Sequence, residues 1–170
     1  MRKFRSALAF AALIAGGAPA LHAQQQPCPG DVHRQFDFWI GDWEVTAIAT
    51  GALAGSNTIE PILGGCVLLE SYTTPGGYAG HSYNAYDAQT GQWHQTWVDN
   101  TGLVLKIDGG LVDGKMVMSG PGVDAQGNAI INRISWTPHE DGTVQQTWDV
   151  SSDGGRTWTS AFDGSYRKVP

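Results

Sequence analysis

Four side chains in the middle of this 170-residue chain have the types that proton chemistry needs: Glu70 in "LLESYT", His81 and Tyr83 in "GHSYNAYD", and His94 in "GQWHQTW". A histidine beside a tyrosine can pass a proton near neutral pH, as an isomerase, hydratase or lyase requires. A glutamate joins them as a base when burial lifts its pKa. The plain alternative is that strand histidines are surface groups or satisfied core groups. Around these four lies a set of amides and aromatic rings: Asn84, Tyr86, Trp93, Gln95, Trp97, Asn132, Trp136, Gln146 and Trp148. Buried amides must be paired with one another, with water or with a ligand. So many indoles are hard to pack without leaving shaped space, and the set reads either as a pocket wall or as plain core.

Other chemistries lack their residues. No His/Cys/Asp/Glu group has the spacing of a zinc site, no EF-hand loop occurs, and no metal site is expected. Serine-nucleophile motifs, phosphate loops and dinucleotide fingerprints are missing. "GPGVDAQG" (120–127) is glycine-rich but is followed by a strand pattern, so it does not cradle phosphate.

The elements that must position these residues are almost all strands. "GDVHRQFDFWI" reads as a short helix over 31–40, with Asp31 as N-cap and Val32, Phe36, Trp39 and Ile40 at helical spacing before Gly41. Strands are expected at 42–49, 57–63, 66–73, 80–87, 92–99, 102–107, 115–119, 129–137, 143–151 and 156–168. Ten short strands separated by Gly, Asp and Asn turns predict an all-β fold, a closed antiparallel barrel or a sandwich. In "YDAQTGQW" a turn ending at Gly91 sets Tyr86 opposite Trp93 and Ala85 opposite His94. Side chains alternate, so Asn84, Tyr86, Trp93, Gln95 and Trp97 share one face and His81, Tyr83 and His94 the other. A slip of one residue would exchange the faces and turn His81, Tyr83, His94 and Arg133 inward.

Residues 1–23 have the three parts of a secretory signal peptide: basic Arg2, Lys3 and Arg5, an apolar run over 7–15, and small residues ending at Ala23. That run is too short to span a bilayer. Residues 24–30 form an extension and 31–170 one domain. Removing the signal takes three of the ten basic residues and none of the sixteen acidic ones, so the formal charge moves from −6 to −9. An acidic chain is a poor partner for nucleic acid or an anionic membrane. A periplasmic or secreted location is expected. Such a compartment favours a Cys28–Cys66 disulfide over two free thiols, and spacing leaves both open.

Two motifs carry resemblances. "SSDGGRTW" (151–158) resembles the Asp-box, Ser-x-Asp-x-Gly-x-Thr-Trp, in which Asp153 and Trp158 stabilise a turn away from any chemistry. "GDW" (41–43), after a short helix, resembles the Gly-x-Trp signature of lipocalins and their calycin relatives. That resemblance implies that the helix plugs one barrel end, that Trp43 packs inside the base and that an arginine of the last strand, here Arg167, stacks across it. The chain is also similar to an uncharacterised exported bacterial calycin-like family, through Gly41/Trp43, Gly64/Gly65, Tyr86/Asp87/Trp97/Asp99 and Tyr166/Arg167. The strand count is closer to fatty-acid-binding or nitrobindin-like barrels. A nitrobindin-like haem would need one barrel histidine, His81 or His94; otherwise no cofactor is expected.

Three readings of function follow. The first is a lipocalin-like carrier holding a small apolar or aromatic molecule in its barrel. The second is a cofactor-free enzyme working through Glu70, His81, Tyr83 and His94. The third is an envelope protein with a filled barrel that acts through its surface.

Overall fold

The structure, a computed structural model, describes residues 28–169. The expected signal segment 1–23, and the extension up to residue 27, lie outside the described residues. Ten antiparallel strands form one closed barrel: β1 Gly41–Ala47, β2 Leu53–Ile62, β3 Val67–Thr73, β4 Ala79–Asp87, β5 Gln92–Asp99, β6 Val104–Val112, β7 Lys115–Val123, β8 Ala129–Pro138, β9 Val144–Ser151 and β10 Thr159–Lys168. Each pairs with its neighbours in sequence, and β10 pairs with β1 to close the ring. A closed ring leaves no free sheet edge.

The expected boundaries shift where glycine does something other than end a strand. β6 and β7 run on to 112 and 123, past the breaks expected at 107 and 119. A Cβ on Gly109 would sit 2.0 Å from the Val117 carbonyl oxygen, and one on Gly120 2.1 Å from that of Lys106. These glycines mark places where neighbouring backbones press together, so the strands continue through them. β10 starts at 159 because the Asp-box turn occupies the residues before it. Trp158 therefore stands outside the strand, with the Arg133 guanidinium 3.9 Å above its ring.

The segment before β1 closes one barrel end, but it is not the expected helix over 31–40. It forms two 3-10 turns, Asp31–Arg34 and Asp37–Trp39, and its N-cap residue is Gly30, with no side-chain cap. The backbone bends at Phe36 so that Phe36 and Trp39 can both point into the barrel, where they are fully buried. Their rings stack at 4.9 Å, and Phe36 meets the edges of Trp93 and Trp136 at 5.7 and 5.1 Å. Burial of two large rings outweighs the hydrogen bonds of an ideal helix. Gly41, at φ 139°, turns the chain from this plug into β1, a conformation that L side chains rarely adopt. A Cys28–Cys66 disulfide ties the plug to the turn between β2 and β3.

The expected stacking of Arg167 on Trp43 is corrected by the register. Trp43 pairs with Lys168 and Glu44 with Arg167, so alternation puts Arg167 on the outer face. Arg167 pairs there with Glu44 at 2.6 Å, and the Lys168 ammonium covers the Trp43 ring at 5.2 Å. The Trp43 indole N–H donates to the Trp39 carbonyl, joining base to plug at 2.9 Å.

Candidate functional site

The β4–β5 register is Tyr86 to Trp93 and Ala85 to His94, so even-numbered residues of β4 and odd-numbered residues of β5 face the lumen. Asn84, Trp93 and Gln95 are buried there, and His81 and Tyr83 stand exposed outside. The slipped register is not adopted. The lumen divides by depth. At the plug end Trp39, Trp43, Trp93, Trp136 and Phe36 pack without exposure above 2%. Trp93 donates to Gln35, and Tyr86 meets the edge of His33. Trp93, Trp136 and Tyr86, expected in a pocket wall, thus belong to the closure.

Above this closure lies a cavity of about 390 Å³. Glu70, Gln95, Gln146 and Tyr166 form its polar base. Tyr72, Trp97, Leu105, Ile134, Trp148 and Phe162 form the wall. Ala54, Thr74, Tyr78 and Ala161 stand at the mouth, at the end away from the plug. The barrel is therefore not filled, contrary to the surface-acting reading. The volume falls within the range of small-molecule pockets.

Why the wall leaves space is visible in its glycines. The Trp97 ring lies over Gly80, so close that a Cβ there would be 2.2 Å from it. Tyr72 lies likewise over Gly55, at 2.8 Å, and Phe162 over Gly164, at 2.5 Å. Each ring lies back into the gap left by a missing side chain instead of standing into the lumen.

Glu70 is buried with no cationic partner among the described residues. Asn57 donates to one carboxyl oxygen at 2.8 Å and Ser82 to the other at 2.6 Å. Ser82 accepts from Asn84 at 2.8 Å and Gln95 at 3.3 Å, and Gln95 also donates to Asn84 at 2.8 Å. Burial pushes the Glu70 pKa up to about 7, with the Ser82 and Asn57 donors pulling the other way. Burial and the nearby Glu70 charge also raise the Tyr72 and Tyr166 hydroxyls. Tyr166 donates a short hydrogen bond to Gln146, and Trp148 donates to Asn132 at 2.9 Å. At the mouth Asp99 accepts from Tyr78 at 2.9 Å and Trp97 at 3.2 Å. Burial pushes the Tyr78 hydroxyl up to about 12, the hydrogen bond to Asp99 adding to it. Loss of water works against ionised Asp99, but donors led by Thr101 outweigh it and hold its pKa at about 2.

The four residues first considered for proton chemistry are not brought together. Glu70 faces the cavity, and His81, Tyr83 and His94 face outward. His81 lies 3.1 Å from the Ser71 hydroxyl, and His94 bridges Asp108 and Thr96, each at 2.7 Å. No histidine lines the cavity among the described residues, so the lumen offers no axial imidazole of the kind a nitrobindin-like haem would take from His81 or His94. No group of three or more potential metal-ligating side chains occurs among the described residues. Nor is any described helix long and apolar enough to cross a membrane.

Of the expected wall residues, Gln95, Trp97, Gln146 and Trp148 line the cavity, and Asn84 and Asn132 support it from behind. Sequence reasoning did not place Tyr72, Tyr166, Phe162 or Tyr78 in the site. Tyr72 was within reach, being two residues from Glu70 on the same face. Comparison of the chain with protein-family models and with curated proteins finds no match. The closed ten-stranded antiparallel barrel is compatible with a calycin-like fold.

Proposed function

We propose that this protein is an exported carrier that holds one small apolar or aromatic molecule in its barrel. The observation that carries this reading is the open, aromatic-walled cavity above a sealed base. The disulfide supports a location outside the reducing cytoplasm. The neutral apolar dye N-phenyl-1-naphthylamine tests the reading: it should bind saturably at one site with enhanced emission. Ile134→Trp, which places an indole in the lumen, should abolish that binding. Unchanged binding by the filled variant refutes the carrier, as does the failure of both this dye and small phenylalkyl probes of every charge to bind saturably.

A second reading is favoured by Glu70 itself. A carboxyl that titrates near neutral pH inside a substrate-sized cavity is suited to taking and returning a proton. In that case Glu70→Gln abolishes turnover of an aromatic substrate, whereas His81→Ala and His94→Ala leave it intact.

A further inference from the structure

The chemistry of the cavity narrows the class of occupant, on the carrier reading above. We propose that the occupant is an organic cation, an ammonium group on an aromatic or apolar body, whose charge is neutralised by the Glu70 carboxylate.

Four observations support this. Glu70 is the one ionised-type side chain among the described lining residues, and none of them is Lys, Arg or His. An anionic ligand such as a fatty acid would find no positive group in the cavity to offset its charge, and ionised Glu70 would repel it. The Glu70 oxygens receive two side-chain donors, from Asn57 and Ser82, and a carboxylate offers about four lone-pair positions. Acceptor capacity is left on a group that borders the cavity. The walls supply the second attraction: Tyr72, Trp97, Trp148, Phe162 and Tyr166 present aromatic surface, which attracts cations through the ring quadrupole. Finally, the Asp99 carboxylate stands beside Tyr78 and Trp97 at the mouth, so the approach to the cavity is negative as well.

Bound ammonium would favour ionised Glu70 and expel its proton. The other titratable groups facing Glu70 are Tyr72 and Tyr166, both shifted toward staying neutral, with the Tyr78–Asp99 pair at the mouth. Proton release near pH 7 is then assigned to Glu70.

The test is calorimetric titration at pH 7 with three probes of one shape: 2-phenylethylamine, propylbenzene and 3-phenylpropionate. The amine should bind at least tenfold more tightly than either of the others. It should release a fraction of a proton that falls as the pH of the titration is raised, read from heats in two buffers of different ionisation enthalpy. Glu70→Gln should remove both the preference and the release. Should that variant not fold, proton release from the wild type still decides. Equal affinities, or a preference for the anion, overturn the cation while leaving the carrier standing. Failure of all three probes and of the naphthylamine dye overturns the carrier, and this proposal with it.

Discussion

Glu70 is held by donors and deprived of water, and the second effect wins. The folded protein keeps the Glu70 proton up to about pH 7, whereas the unfolded chain releases it near 4.5. Stability from this group is thus present in full below pH 4.5 and is lost as pH rises through 7. A shift of this size corresponds to roughly 3 kcal/mol. Urea denaturation between pH 4.5 and 8 should show wild-type stability falling over that window and Glu70→Gln nearly flat. The turn carboxylates have the opposite sign. Backbone and side-chain donors of Thr157, then Ser151, hold the Asp153 carboxyl down to about 2. Its contribution is present above the ordinary aspartate pKa and lost as pH falls toward 2. Acid titration of Asp153→Asn should therefore make the low-pH limb shallower, with Asp87, Asp99, Asp124 and Asp141 still contributing to it, and leave the Glu70 limb unchanged. At this scale alternation put Asn84, Gln95 and Trp97 on one shared face, but it left open which face was the inner one and whether Glu70 joined it. It could not make Tyr78 readable, because Tyr78 lies in a turn where no periodicity operates. Nor could it show that His81 and His94 would find partners on the outer wall.

Among the elements, the pairing of β4 with β5 decides how much space the lumen keeps. Adding one methyl at Gly80 forces the Trp97 ring out of its gap and toward the cavity. Gly80→Ala should retain the barrel's circular dichroism yet bind the naphthylamine dye at least tenfold more weakly. The plug is the converse case, an element whose side chains fill space. Phe36→Ala removes a fully buried ring that touches Trp39, Trp93 and Trp136. It should cost about 3–5 kcal/mol in denaturant unfolding and shift tryptophan emission to the red. Ten strands could be read from turn residues and alternation, and β4–β5 even in register. The plug's 3-10 geometry could not, because it is set by what Phe36 and Trp39 must reach inside the barrel. Phe162 was hidden for a related reason: the register of β10 on β9 shifts between Ser160 and Phe162, which breaks the period-two count.

For the whole molecule, the disulfide joins the plug to the barrel across a separation of 38 residues. Replacing both Cys28 and Cys66 by serine should lower stability by about 3–4 kcal/mol, seen as a lower melting temperature that no longer responds to reductant. The paired cysteines were legible as a possibility, since composition and compartment favour a bridge, but their approach depends on the plug folding back beside the turn before β3. The sealed base has a last consequence, for direction. A barrel shut at one end by Phe36 and Trp39 admits its guest through a single door, so entry and exit retrace one path. A guest whose charged head belongs at Glu70 must enter head first and leave tail first. A ligand immobilised on a resin by its tail should therefore capture the protein, and the same ligand immobilised by its head should let it pass.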